Sequence, residues 1–319
     1  MLRAFLLYLS NAVWARNIVT HWRIARRMAC RFVAGDTFED ALKAIYKLNE
    51  KGFYTTLDNL GENVISSEEA LKATDAYIEI FQRLHDEGVK SSCSVKLSQL
   101  GLELDYDLCL SNMRCIATHA AEFGTLVRID MEDSSTVDRT IQIYHTLRAE
   151  DITNIGLAIQ SYLRRSEEDV LSLLEDGTRI RLCKGAYNEP PEVAFPQKRD
   201  VDASYDRITA HMIDGSQAHG SEPASVDGKI PPIAAIGTHD SKRIGFARDY
   251  AKSVGLPKEA LEFQMLYGIR SDLQEALQAE GYPVRVYVPF GTEWYPYFMR
   301  RLAERPANLW FFITALVRG

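Results

Sequence analysis

Two neighbouring arginines, Arg300 and Arg301, lie in the segment TEWYPYFMRRLAERPANLW (292–310), with Tyr297 before them and Glu304 after them. On a helix, residues three and four apart share a face, so these four would line one broad surface. Pro296 is compatible with a first helical turn. Guanidinium forks set over a pocket suit a carboxylate, because each can donate two parallel hydrogen bonds. On a solvated face the same residues would be an Arg/Glu ladder, with Arg300 and Glu304 at i,i+4, worth about 0.2–0.5 kcal/mol per pair. The sequence by itself leaves both readings open.

Further polar groups recur at the ends of β-rich runs. Lys96 lies in SSCSVKLSQL (91–100), and Asp130, Glu132 and Asp133 close TLVRIDME and its sequel (125–133). Gln160 lies in NIGLAIQSYL (154–163), and Arg181 and Lys184 in TRIRLCKGA (178–186). Thr238, His239 and Asp240 end PIAAIGTHD (232–240), Tyr267 ends LEFQMLYG (261–268), and Tyr287 sits in PVRVYVPFG (283–291). Any one of these is more often a solvated or paired surface group than a catalyst. Their collective placement at strand ends is what a pocket requires.

With FYTTLDNL (53–60) those runs number eight, and amphipathic helical stretches separate them. SSEEALKATDAYIEIFQRLHDEG (66–88) begins with serine caps and early acids and ends in glycine, as helix polarity demands. EEDVLSLLEDG (167–177) and DSKRIGFARDYAKSVG (240–255) follow the same logic. Strand and helix alternating eight times predicts an α/β protein built as a (βα)8 TIM-type barrel, with an N-terminal helical segment (1–50), a barrel domain (51–319) and a final helix covering the C-terminal face. An open doubly wound sheet would carry a Gly-rich turn after its first strand, and there is none. The polar, Gly/Pro/Ser-rich stretch 214–232 reads as a mobile loop at the N-terminal face, away from catalysis.

The 319 residues carry a net charge of −7, which argues against nucleic acid as the main partner. Five cysteines with no C-x-x-C spacing suggest neither a disulfide framework nor zinc, and fit reduced thiols in a cytosolic setting. Residues 1–35 contain six arginines and no acid. The apolar stretch AFLLYL is too short to span a bilayer, and Ser10 and Asn11 interrupt its resemblance to a secretory signal. The segment reads first as a pair of helices capping the barrel with arginines in water. A basic amphipathic helix on an anionic membrane surface is the sharper alternative.

RLCKGAY (181–187), EFQMLYG (262–268), VRVYVPFG (284–291) and WYPYFMRRLAE (294–304) resemble the motifs of the proline dehydrogenases. SVKLSQLG (94–101) and RIDMED (128–133) agree, and the motifs occur in family order over nearly the whole chain. The resemblance implies an FAD-dependent enzyme that oxidises L-proline to Δ1-pyrroline-5-carboxylate and passes electrons to a membrane quinone. It implies that Arg300, Arg301 and Lys96 hold the substrate carboxylate, with Glu304 closing an ion-pair network. Asp130 would position the lysine and arginine groups, and Arg181 would approach the hydride-accepting flavin nitrogen. Met131, Gln160, Lys184, Gly185, Ala186, Thr238 and His239 would line the cofactor, and Leu266, Tyr287 and Tyr297 would wall the proline ring. A tyrosine at position 287 implies preference for proline over 4-hydroxyproline. A separate pyrroline-5-carboxylate dehydrogenase would take the product, and the setting would be cytoplasmic, peripheral on the inner membrane if the basic segment docks there. Cys183 departs from the aliphatic residue usual in its motif and is expected to face away from the pocket. A methylenetetrahydrofolate reductase-type flavin barrel and a non-catalytic proline or flavin sensor are the alternatives. No residue declares itself as acceptor of the amine proton.

Overall fold

On the last two strands of the chain the apolar side chains occupy one face and the polar ones the other. On Val284–Phe290, Val284, Val286 and Val288 belong to the main apolar core, while Arg285 and Tyr287 make polar contacts across the barrel interior, with Glu262 and Asp130. On Leu261–Leu266, Leu261, Phe263 and Met265 join the core, and Glu262 and Gln264 bond each other on the opposite face. Because successive side chains point to opposite faces, one sheet can bury an apolar outer face under helices and enclose a polar interior.

The computed structural model describes residues 6, 8–10, 12–20 and 23–304. Eight parallel strands close in sequence order: β1 Tyr54–Asn59, β2 Ser91–Val95, β3 Val127–Ile129, β4 Ile155–Gln160, β5 Arg179–Cys183, β6 Ala234–Gly237, β7 Leu261–Leu266 and β8 Val284–Phe290. β1 pairs with both β2 and β8, which closes the (βα)8 barrel. Before the barrel lie α1 (Val13–Thr20), α2 (Arg23–Ala29) and α3 (Phe38–Glu50). Around it run α4 (Ser67–Asp86), α5 (Tyr106–Glu122), α6 (Val137–Ala149), α7 (Ser166–Glu175), α8 (Lys198–Ala218), α9 (Ser241–Val254) and α10 (Ser271–Ala279), and α11 (Trp294–Glu304) follows β8. The expected caps are in place. Ser66 accepts from the Glu69 N–H, Asp240 accepts from the Lys242 N–H, and Gly255 adopts the left-handed conformation that ends α9.

The strands are shorter than the β-rich runs. The run 91–100 breaks after β2 into a 3-10 turn, Leu97–Leu100, because Ser98 is held by Glu132 and Gly101 turns with positive φ. The 214–232 reading is corrected in two respects. Residues 214–218 belong to α8, where Ile213 and Ser216 are buried. The remainder is fastened across the N-terminal mouth, where Lys229 donates to Phe123 O, Leu126 donates to Lys229 O, and Gly228 O accepts from Arg285. A loop whose backbone closes a barrel end is an ordered plug.

A second apolar cluster joins Ala15, Ala25, Ala29, Phe32 and Val33 to Trp294, Tyr295, Phe298, Met299 and Leu302 of α11. The N-terminal helices thus pack on the last helix, with Arg26 and Arg27 exposed and Arg26 paired to Asp36. Arg3, half of AFLLYL (residues 4, 5 and 7) and everything after Glu304 lie outside the described residues. No described helix is long and apolar enough to cross a membrane.

Candidate active site

Lys96 follows β2 and is almost fully buried, with Nζ 2.7 Å from both oxygens of Asp58. Burial favours a neutral lysine, but Asp58, Asp130 and Glu62 together hold the ammonium above the ordinary lysine value. Asp58 was not singled out from sequence. Its signal was present: an acid near the end of a β-rich run, where the other strands carry their polar groups.

Arg181, on β5, donates to Ser94 Oγ at 3.2 Å and to Asp130, and its guanidinium lies 5.2 Å from the Tyr287 ring centre. Burial, the largest effect, opposes its charge, but Asp130 together with Cys183, Tyr287 and Asp58 outweighs it, so its proton is held more tightly than usual. Tyr287 donates to Asp130 Oδ2 at 2.9 Å, and burial beside Asp130 and Asp58 pushes its phenol well above the ordinary range. Asp130 therefore fixes Arg181 and Tyr287. The lysine it was expected to position is bonded instead by Asp58, one strand away.

Arg300 reaches from α11 to Glu62 in the loop after β1, at 3.1 Å for one of its two contacts, and its guanidinium lies 5.7 Å from the Tyr187 ring centre. Despite burial, Arg300 lowers the Glu62 pKa and Glu62 raises that of Arg300. The Arg300–Glu304 pairing falls on a side chain, Glu304, that lies outside the described residues. Arg301 is buried, with its guanidinium 4.9 Å from the Tyr297 ring centre. Tyr287, Tyr297 and Leu266 share the apolar cluster under α11. Nothing local in GENVISS marks Glu62 as the acid that meets Arg300.

Between these elements opens a cleft of about 540 Å³, whose wall includes Glu62, Glu132, Ala186, Tyr187 and Arg300, and Tyr8 and Ser10 from the N-terminal segment. Glu132 is buried and accepts from Ser98 N (2.9 Å) and Ser98 Oγ (2.5 Å). Burial pushes its carboxyl up to about 7; the two Ser98 bonds and Lys96 restrain the shift and Glu62 adds to it.

The remaining sequence-predicted residues gather at the ends of β4, β5 and β6. Gln160 donates to the carbonyls of Met131 (2.7 Å) and Glu132 (2.9 Å), which leaves its buried Oε1 with no partner among the described residues. Lys184 is clamped by Asp202 (2.5 Å) and Asp240 (2.7 Å). Asp240 lies at about 2, because the Lys184 contacts overcome the effect of burial. Gly185 has φ +118°, and a Cβ there would enter the Tyr162 ring, so the glycine is required by its own fold neighbours. Thr238 Oγ1 accepts from the Asp240 N–H at 3.1 Å. His239 Nε2 accepts from the Leu266 N–H at 2.9 Å, which places the neutral ring's proton on Nδ1. Lys184, Thr238 and His239 are not part of the cleft wall.

Cys183 overturns its expectation. Residues two apart on a strand face the same way, so Cys183 points inward with Arg181, both beside Gly237. Burial raises its thiol pKa, with Arg181 opposing the shift.

A sequence model described as Proline dehydrogenase matches residues 41–312. Proline dehydrogenase 2 of Bacillus subtilis (strain 168) is 37% identical over 316 residues, 99% of each chain. The chain belongs to the proline dehydrogenase family. Among its other relatives, the proline dehydrogenase of Deinococcus radiodurans is 39% identical over 303 residues, 93% of this chain and 91% of that one. The crystal structure of proline utilization A from Bdellovibrio bacteriovorus inactivated by N-propargylglycine superposes with a TM-score of 0.79 at 25% identity, over 92% of this chain and 34% of that chain. The stretch matched to the proline dehydrogenases contains all eight strands, the cleft carboxylates and both arginines of α11.

Proposed function

We propose that this protein oxidises L-proline to Δ1-pyrroline-5-carboxylate with FAD as the immediate oxidant and a membrane quinone as the final electron acceptor. The observation that carries the reading is the convergence of Lys96, Arg181 and Arg300, from three separate parts of the chain, on one buried mouth beside a cleft. Membership of the proline dehydrogenase family supports the substrate, and the cationic mouth supports an amino acid held by its carboxylate.

The residues present suit a flavin. Gln160 Oε1 is buried without a partner, and a ring N–H donor would satisfy it. Arg181 supplies fixed positive charge nearby, which favours a group that becomes negative on reduction. Gln160, the Met131 backbone, Arg181, Thr238 and His239 would hold the cofactor, with Gly185 and Ala186 beside them. Lys184, already clamped by two aspartates, would offer a pyrophosphate only part of its charge. Bound FAD would supply the redox chemistry as the two-electron oxidant.

The chain's own part is orientation and charge. The substrate carboxylate displaces Glu62 from Arg300 and gains charge-assisted hydrogen bonds that a planar fork makes well. Lys96 and Arg301 add positive charge to the same mouth. Once the carboxylate is anchored, the ring is set against Leu266, Tyr287 and Tyr297, and this alignment lowers the barrier by removing rotational freedom. Tyr287, tied to Asp130, leaves no slack for a ring hydroxyl, so 4-hydroxyproline is the poorer substrate. The purified protein is expected to show a flavin absorption spectrum that bleaches on anaerobic addition of L-proline. A colourless protein, or bleaching by NADH and not by proline, would overturn this assignment.

A further inference from the structure

Of the carboxylates around the mouth, three are answered by a cation. Asp58 bonds Lys96, Asp130 bonds Arg181 and Glu62 bonds Arg300. Glu132 is not: among the described residues its carboxylate bonds only Ser98, and no lysine or arginine pairs with it. Asp133 and Glu189 on the same cleft wall also bond only serines, Ser135 and Ser134, but they are more exposed than Glu132. Glu132 itself is buried, with part of its surface in the cleft wall beside Glu62 and Arg300. Glu62 faces it from the loop after β1, Lys96 from the end of β2, Cys109 from α5 and Tyr187 from the loop after β5.

Oxidation of a secondary amine makes a demand that the sequence left without an owner. Near neutral pH proline carries its nitrogen as ammonium, and hydride can leave the adjacent carbon only when a nitrogen lone pair is free to form the C=N bond. One N–H proton must go first. Asp58, Asp130 and Glu62 each already bond a cation, and protonating any of them would break an ion pair. His239 already uses Nε2 to accept from the Leu266 backbone.

We propose that Glu132 accepts the proton shed by the substrate nitrogen. The inference rests on the proline-oxidising reading above. In this step an N–H bond breaks and its electron pair stays on nitrogen, while an O–H bond forms on Glu132. The hydride then leaves the neighbouring carbon for the oxidant as the nitrogen pair closes the C=N bond. Glu132 returns its proton to cleft water as the product departs, which restores the carboxylate. A carboxylate raised by burial to near neutrality suits this task, since an acceptor works best when its own pKa lies close to the working pH. Ser98 tunes it, because both of its hydrogen bonds favour the ionised form.

The test compares wild type with Glu132→Gln, Glu132→Asp and Ser98→Ala. In wild type, kcat/KM for proline should rise with pH and level off near 7. Glu132→Gln should lose that limb and lower kcat by about 10²–10⁴-fold, with little change in affinity for a ring analogue that carries the carboxylate and no amine. Glu132→Asp should recover the limb and part of kcat, and Ser98→Ala should move it to higher pH. Infrared difference spectra of the resting protein should show a carboxylic-acid carbonyl band that titrates near neutrality and is missing in Glu132→Gln; this readout needs no turnover. If the limb persists unchanged in Glu132→Gln, or lies at the pKa of free proline's own amine in both proteins, Glu132 is not the acceptor. Absence of the infrared band from wild type overturns the proposal as well. Should wild type fail to bleach with proline at all, the functional reading itself falls, and that outcome is distinguishable from loss in the variant alone.

Discussion

At the N-terminal end of the barrel, Arg285 donates to both oxygens of Glu262, to the carbonyls of Thr55 and Gly228 and to Ser92 Oγ. At the C-terminal end, Arg300, Arg181 and Lys96 are each tied to a carboxylate, yet Arg300 and its partner Glu62 also face an open cleft. Both ends bury charge in place of the branched aliphatic layers that usually fill such barrels. The N-terminal cluster answers its charge with buried Glu262 and fixed backbone carbonyls, and the 219–232 plug seals it. The C-terminal cluster answers its charge with side chains, which a substrate carboxylate can displace. Buried charge therefore marks function here only where its partner is exchangeable and a cleft adjoins it.

The largest expected effect lies at the sealed end. Glu262→Gln leaves Arg285 buried without its countercharge and should cost about 3–5 kcal/mol in denaturant unfolding, while turnover per folded molecule is preserved. A loss of turnover at unchanged stability would show that the two ends are not separate. Arg300→Ala should do the reverse, raising KM for proline by about 10–100-fold through loss of charged hydrogen bonds. Its melting temperature should stay near wild type, because Glu62 can be hydrated from the cleft; a large fall would erase the contrast. Gly228→Ala puts a side chain at φ +69° against the Tyr54 ring, and should cost about 1–2 kcal/mol with KM unaltered. The smallest effect concerns pH. Asp240 has a folded pKa of about 2, depressed below its ordinary value, so its contribution is complete above about pH 4 and fades as pH falls through 2. Asp240→Asn should flatten that acid limb of the unfolding curve, and an unchanged limb would mean that the Lys184 clamp does not contribute to stability.

The two ends also differ in how well the chain announces them. Lys96, Asp130, Arg181, Tyr287 and Arg300 stand in motifs; strand-end position and period-two alternation were enough to place the first four on an inner face or a rim, and helical spacing placed Arg300. The same alternation, applied to RLCKGA, puts Cys183 beside Arg181, so that expectation failed against information already in the sequence. The plug was read as a loop on the correct face, but its order comes from Phe123, Leu126 and Arg285, roughly sixty to one hundred residues away in sequence.

Composition, periodicity and capping chemistry determined the eight strands, the helices between them and the list of groups able to grip a carboxylate, because each is a local property of a few neighbouring residues. Which acid answers which base was decided only in three dimensions. Asp58 takes Lys96, Glu62 takes Arg300 and Glu132 is left with a serine because barrel closure sets β1 between β2 and β8 and lays α11 over their ends. A charge–charge interaction depends on separation and burial, and neither quantity exists along the chain until it has folded.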